Sequence, residues 1–257
     1  MHICIGLSSY YIKQQVSSDI QTNNGFIPPE NIQTQNSLDK ICDWTARKKM
    51  LINPNKTSYM IINFSKNYQF NTRLNLEGKL IQQIKQTKLL GVIVDDNLSW
   101  QSNTNHVVKQ AYKRMAILQH LYNFSVPLED LIDIYKLYIR SVLENSAVVW
   151  HSSLTQGQSS EIDRVQKVAL RIILKSDYIS YDNALEIASL PTLCDRRTQL
   201  CKTFAIKCTK NQKTSSMFPL NSKPHTLRNP EKYIVTPANT NRLARSAIPY
   251  MQRLLNT

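Results

Sequence analysis

The chain has 257 residues, 42% of them apolar, which is enough to bury a sizeable core in one or two domains, and it carries a net charge of +14. Only 5 glycines are present, which disfavours glycine-built phosphate loops and β-sandwiches, and no GxGxxG or Walker-type pattern occurs. No apolar run approaches the roughly 18 residues of a membrane span, and residues 1–10 lack the basic flank of a signal peptide. Five cysteines, an odd number, fit reduced thiols better than a disulfide framework, so an intracellular protein, nuclear or cytoplasmic and without a membrane partner, is expected.

The charge is unevenly spread. Residues 1–100 carry 11 Lys+Arg against 7 Asp+Glu, residues 101–190 carry 9 of each, and residues 191–257 carry 12 against 2. A basic segment thus follows a balanced body, which points to a polyanion, nucleic acid before an anionic membrane.

In chain order, residues 1–35 show no period and read as an irregular leader, with Ile27-Pro28-Pro29-Glu30 as an extended linker. A helix is predicted from Asn36, where Asn36 and Asp39 make a capping-like pair. Leu38, Ile41, Cys42 and Thr45 share one face, and Arg47, Lys48 and Lys49 fall in the last turn, where the helix dipole favours cations. Asn53-Pro54-Asn55 turns the chain into a strand over Thr57 to Phe64. A second strand around Phe70 to Leu76, the turn Glu77-Gly78 and the segment Lys79 to Ile84 form a predicted hairpin. Thr87 to Val94 is the last strand, broken by Gly91, which marks a bulge or a close approach of another backbone or ligand. Asp95 and Asp96 invite a two-ion reading, but such a site needs a third carboxylate that nothing nearby supplies. With Asn97 they are read as a turn whose side chains bond their own backbone.

After Trp100 the period changes to three and four. Val108, Ala111, Met115 and Leu118 make one stripe; Leu128, Leu131, Tyr135, Tyr138 and Val142 make a second behind Pro127; Ile162, Val165, Ala169 and Ile172 make a third. Ser160 with Asp163, and Thr192 with Asp195, read as capping boxes that start helices. The stripes through Met115, Leu131, Tyr135, Val165 and Phe204 are expected to converge in one core. Cys194, Cys201 and Cys208 recur every seven residues. Positions seven apart on a helix are about 10.5 Å apart, too far to share a tetrahedral zinc, so they read as small buried residues. From Thr209 on, the sequence is polar, basic and broken by prolines, with a short last helix, Arg242 to Leu255, whose apolar side is Leu243, Ile248, Met251 and Leu255.

The segments Leu51-Ile-Asn-Pro-Asn-Lys-Thr57, Met60-Ile-Ile62, Leu89-Leu-Gly-Val-Ile93, Leu98-Ser-Trp100, Tyr138-Ile-Arg-Ser-Val-Leu-Glu144 and Val149-Trp-His-Ser-Ser153, in this order and spacing, resemble the downstream half of a non-LTR retrotransposon reverse transcriptase. Arg164-Val-Gln-Lys-Val-Ala-Leu170, Leu190-Pro-Thr-Leu193 with Arg196-Arg197, and Phe204-Ala-Ile-Lys-Cys-Thr-Lys210 extend the resemblance over nearly the whole chain. The stretch from Lys56 to about Trp150 also resembles the N-terminal region of an AlkB-homologue tRNA-modifying dioxygenase, but no iron triad or methyl-donor loop accompanies it.

These patterns predict an α+β fold, mostly α, a small antiparallel sheet with one helix followed by a helical bundle; the resemblance implies that residues 36–100 are a palm remnant, 101–212 a thumb-like domain, and 213–257 a basic tail with a short terminal helix. Lys56 corresponds to a proposed general acid for pyrophosphate departure, and Leu90 and Gly91 to the primer grip. Arg196, Arg197, Lys202, Lys207, Lys210 and Lys213 are the cations expected to meet RNA or DNA, weakly and in a salt-dependent way. The metal-binding aspartate hairpin of such enzymes would precede Ile5-Gly6-Leu7, so the chain is expected to be a truncated polymerase, inactive alone, with no cofactor of its own although the intact enzyme uses magnesium; the alternatives are a nucleic-acid-binding module without catalysis and a non-functional retroelement fragment.

Overall fold

The computed structural model describes residues 2–7, 10–15, 29–64, 73–221 and 232–257, with side chains from residue 34. The fold is α+β and mostly α. The chain divides into two compact units, Met1–Leu89 with Ile93–Leu98, and Leu90–Val92 with Ser99–Thr257.

The first unit corrects the expectation of an irregular leader. β1 (His2–Leu7) and β2 (Tyr10–Gln15) form an antiparallel pair, and β1 pairs antiparallel with β3 (Ser58–Ile62) on its other edge. The two strands are only six residues each, and the ladder to β3 joins segments about fifty residues apart, so no local period announces them. α1 spans Pro29–Arg47, seven residues earlier than the capping-like pair at Asn36 placed it, with Pro29 in the first turn, where its missing N–H costs nothing. Its buried face includes Thr34, Leu38 and Thr45, with Ile41 and Cys42 half-buried, as the periodicity predicts.

The predicted hairpin is present as β4 (Asn75–Leu76) and β5 (Lys79–Leu80), while residues 70–72 of the longer predicted strand lie outside the described residues. Glu77 and Gly78 both have positive φ (50° and 79°), the turn that matches the right-handed twist of the flanking strands. β6 (Gln82–Gln83) joins β3 in parallel, giving the order β2-β1-β3-β6, so the main sheet is antiparallel except at that edge. Leu38, Tyr59, Ile61, Leu74, Leu76 and Ile81 form the core of this unit. The Gln35 amide brackets β4, donating to Asn75 O (2.8 Å) and accepting from Asn75 N (3.0 Å).

Thr87 to Val94 is not one strand. It is a hairpin of β7 (Gln86–Leu89) and β8 (Val92–Asp95) turning on Leu90-Gly91. Leu98 N donates to Asp95 O (3.1 Å), closing the turn read from the Asp-Asp-Asn run.

The second unit is helical. α2 (Gln101–Asn123) and α6 (Gln156–Leu174) lie parallel. Gln158 at the start of α6 donates to Ser99 O (2.9 Å) and Gln101 Oε1 (3.1 Å), and Lys175 at its end lies 3.8 Å from the centroid of the Tyr122 ring. α6 starts at a Thr155 capping box closed by Gln158, five residues before the predicted cap at Ser160; Asp163 is engaged elsewhere.

α3 (Leu128–Ile134) runs without a break through a π-helical segment, Tyr135–Arg140, into α4 (Ser141–Glu144). The wider i→i+5 turn shifts the helical phase. The buried line therefore runs Leu131, Tyr135, Ile139, Leu143, four apart, and the predicted Tyr138 is 41% exposed. α5 (Ala147–Trp150), a 3-10 turn at His151–Ser153, α7 (Tyr181–Ile187) and α8 (Leu193–Lys210) complete the bundle, and Thr192 caps α8 as predicted by accepting from Asp195 N (3.1 Å).

Met115, Leu131, Tyr135 and Val165 are buried on helices that pack together, but Phe204 is 43% exposed. The buried line of α8 passes through Arg197, Cys201 and Ala205, and at about 100° per residue Phe204 sits to one side of it. Cys201 and Cys208 are buried as predicted, whereas Cys194, in the first turn of α8, is exposed.

The tail is part of this unit rather than a separate segment. α9 (Asn241–Ala244) and α10 (Ala247–Leu254) follow a stretch tied to the body, and Met251 joins Cys201, Ala205, Cys208 and Phe218 in a second core cluster. Leu243 and Ile248, predicted on the apolar side, are exposed. Buried Gln252 accepts from Thr236 N (2.7 Å) and donates to Met217 O (2.8 Å), while Asn256 exchanges two hydrogen bonds with the Tyr233 backbone. Residues 222–231 lie outside the described residues. Among the described residues, no helix is long and apolar enough to cross a membrane.

Gln252→Leu leaves two backbone groups of the tail unpaired at a buried position. It is expected to destabilise the second unit by about 2 kcal/mol and to speed proteolysis between residues 211 and 240. Unchanged cleavage and an unchanged urea midpoint would show that Gln252 does not hold the tail.

Candidate nucleic-acid interface

The β7–β8 turn is the most constrained of the sequence-predicted elements. A two-residue hairpin loop needs positive φ at both central residues, and here Leu90 (47°) and Gly91 (90°) supply it. Glycine takes this conformation without strain, whereas a leucine pays about 1–2 kcal/mol for it. Leu90 is nonetheless 88% exposed, an apolar side chain at the tip of a strained turn. Gly91 is fixed by a second constraint: a Cβ there would lie 3.2 Å from Asn145 Nδ2.

Asn145 ends α4 with φ −56° and ψ 119°, and Ser146 follows with φ 52°. The corner is held from both sides. The indole N–H of buried Trp150 donates to Asn145 O (3.1 Å), and Glu144 Oε1 lies 3.1 Å from both Arg140 Nε and Arg196 Nε. The structure thus gathers three predicted residues, Leu90, Gly91 and Arg196, around the 144–145 corner. Arg196 is half-buried and already paired, yet keeps part of its guanidinium in solvent.

The remaining predicted cations are scattered. Lys202 is half-buried on α8, while Lys207, Lys210 and Lys213 are exposed at or beyond its C-terminal end, where the helix dipole favours positive charge whatever the partner. Lys56, exposed, ends the 3-10 turn Pro54–Lys56, whose cap is Asn53, in the first unit.

Arg197 is not a nucleic-acid contact. It is fully buried, and its Nη2 donates to Ser159 Oγ (3.0 Å) and Asp163 Oδ1 (3.3 Å), while Nε donates to His151 Nδ1 (3.2 Å). Because Nδ1 accepts, the imidazole proton sits on Nε2, 3.2 Å from Thr198 Oγ1, whose own hydroxyl donates to Cys194 O (3.0 Å). Tyr250 of α10 approaches Thr198 at 3.3 Å. Adjacent arginines look alike in sequence, but one helical step of about 100° separates a solvent-facing from a core-facing guanidinium.

Burial, and then the Arg197 charge, push the His151 pKa down to about 4, and burial raises the Asp163 carboxyl although Arg197 opposes that.

The sequence reading missed the exposed face of α2. Asn105, Val108, Lys109, Tyr112 and Lys113 line a shallow open groove along it. Arg114 donates from Nη1 to Tyr138 O (2.6 Å), with its Cζ 4.5 Å from the Tyr138 ring centroid. The signal was present: residues 97–128 contain three Lys or Arg and no Asp or Glu. Counting charge over residues 101–190 averaged it away.

Among the described residues no three His, Cys, Asp or Glu side chains are grouped to hold a metal ion. Asp95 ends β8 and Asp96 follows it, both half-buried.

Gly78→Ala meets open space and is expected to cost about 1 kcal/mol from its positive φ alone. Gly91→Ala should cost more, because its Cβ also meets Asn145, and Asn145→Ala should recover the excess in a double-mutant cycle. Equal costs at the two glycines would refute the Asn145 constraint.

In the unfolded chain His151 binds a proton that the folded site refuses, so the stability it contributes is complete above pH 6.5 and is lost as pH falls toward about 4. The full loss is about 3 kcal/mol. Asp163 works in the opposite direction above its ordinary value of 3.8. His151→Gln should flatten the stability–pH slope between pH 5 and 6.5, and an unchanged slope in urea titrations would contradict this assignment. Comparison with family models, with curated proteins and with solved structures finds no match to this chain.

Proposed function

We propose that this chain is the nucleic-acid-holding, thumb-bearing part of a non-LTR retrotransposon reverse transcriptase. The observation that carries the reading is local: a strained hairpin turn with an exposed leucine at its tip is seated on the Asn145 corner beside Arg196 and is followed by an acid-free helix bearing Lys109 and Lys113. A rigid turn presents Leu90 as an apolar contact for a sugar or base edge, and the cations of α2 and the end of α8 neutralise phosphates. Such an arrangement positions a strand without reading its sequence. Holding needs no metal and no proton transfer from this chain, so the reading covers a binding role with or without catalysis.

Neutralised phosphates release counterions, so log affinity should fall linearly with log salt by about 0.9 per phosphate contacted on duplex DNA. Fluorescence anisotropy with a labelled RNA–DNA duplex at several salt concentrations measures this slope. Lys109→Gln with Lys113→Gln is expected to make it shallower by about 2, and Leu90→Ala to weaken binding at unchanged slope. Failure of the chain to bind at low salt, or an affinity independent of salt, would overturn the reading.

A further inference from the structure

α6 carries a row of cations that the balanced charge of residues 101–190 conceals. Arg164, Lys167, Arg171 and Lys175 are all exposed. At about 100° per residue, Arg164 and Arg171 lie nearly in line along the helix and Lys167 lies about 60° to one side. Lys175, which ends the helix with φ 42°, continues the row. The four span about 16 Å at 1.5 Å per residue.

Three of the four rest on tyrosine rings. Lys167 Nζ is 4.8 Å from the Tyr181 centroid, Arg171 Cζ is 5.2 Å from that of Tyr178, and Lys175 Nζ is 3.8 Å from that of Tyr122 on α2. The ion pairs among the described residues involve other cations, and Asp163, the acid nearest the row in sequence, is committed to Arg197. Glu161, Asp177 and Asp182 are exposed nearby without pairing to the row. This distinction matters physically. A carboxylate partner fixes a cation and cancels its charge, whereas an aromatic face attracts it by about 0.5–1 kcal/mol at an exposed site and leaves the charge available.

We propose that the α6 row is a second track for a nucleic-acid phosphate backbone, apart from the hairpin tip and α2; it rests on the nucleic-acid-holding reading above. Duplex DNA presents one phosphate per strand for about every 3.4 Å of axis, so the row covers about five phosphates of one strand. Three of its cations are pre-positioned on rings, which lowers the ordering cost of binding. Of the other exposed positions near this line, Gly157 and Ser160 are small, and Glu161, about 60° to the side opposite Lys167, is an acid outside the ion pairs of the described residues. A membrane surface would call instead for apolar side chains beside the cations.

The test replaces Arg164, Arg171 and Lys175 together by Gln in the full chain and repeats the salt titration with the labelled duplex. The log–log slope is expected to become shallower by about 3, at 0.9 per phosphate, with at least a tenfold loss of affinity at low salt. A charge-retaining variant, Arg164→Lys with Arg171→Lys, should keep the slope. Tyr178→Leu leaves every charge in place but releases Arg171, so affinity should fall by about two- to fivefold at unchanged slope, from the loss of a cation–π contact.

A wild-type chain that binds, loses slope on Lys109→Gln with Lys113→Gln and keeps it in the α6 triple variant would overturn this inference alone. A chain that binds no nucleic acid would overturn the proposed function itself. Row-dependent binding to phosphatidylserine vesicles, with duplex binding unaffected by the triple variant, would assign the row to a membrane surface and also overturn the inference.

Discussion

The second unit depends on one buried guanidinium. Arg197 reaches from α8 to Ser159 and Asp163 on α6 and to His151 in the 3-10 turn after α5, and His151 passes the contact through Thr198 toward Tyr250 on α10. Four elements distant in sequence are thereby fixed by one side chain. Such a centre is costly to form, because burying a charge loses its hydration, and costly to break, because removing one partner strands the other. The neutral imidazole fits this arrangement. A protonated Nδ1 would present a second donor to the Arg197 N–H, and that repulsion together with burial holds the His151 pKa low.

Around this centre the helices solve a phase problem. The π segment at Tyr135–Arg140 adds about one residue to a turn, which brings Tyr135, Ile139 and Leu143 onto one line and swings Tyr138 outward to meet Arg114. The same continuous helix then ends at Glu144 and Asn145, so the phase that buries Leu143 also orients the corner on which the Leu90–Gly91 turn rests. The 144–145 corner is thus tied to the core: Glu144 anchors Arg196, and the next residue, Arg197, faces inward to Asp163.

The distribution of positive charge follows from how each cation is held. Arg196 and Arg140 share one carboxylate, and Arg197 is enclosed with another, so these arginines are mainly architectural. Lys109 and Lys113 sit on a helix with no acid, and three of the four α6 cations rest on tyrosines. Only the latter kinds leave a net field at the surface, and a net field is what draws a polyanion. Net charge per segment therefore misplaces the basic surface, because it counts a buried, paired guanidinium and an exposed lysine alike.

The sequence by itself determined the mostly α character, the Glu77-Gly78 hairpin, the buried face of α1, the Thr192 cap of α8 and the stripes through Met115, Leu131 and Val165. Each is a local pattern, set by periodicity or by the φ and hydrogen-bond demands of a few neighbouring residues. The tertiary structure alone decided the rest. β1 and β2 pair with each other and β1 with a strand more than forty residues away, the single strand around Gly91 folds into a hairpin, the π segment shifts the buried line from Tyr138 to Ile139, and the tail closes over α8 through Gln252. The two arginines at 196 and 197 mark the boundary most sharply. Nothing local distinguishes them, and which one enters the core depends on where Asp163 and His151, 34 and 46 residues earlier, are brought to meet it.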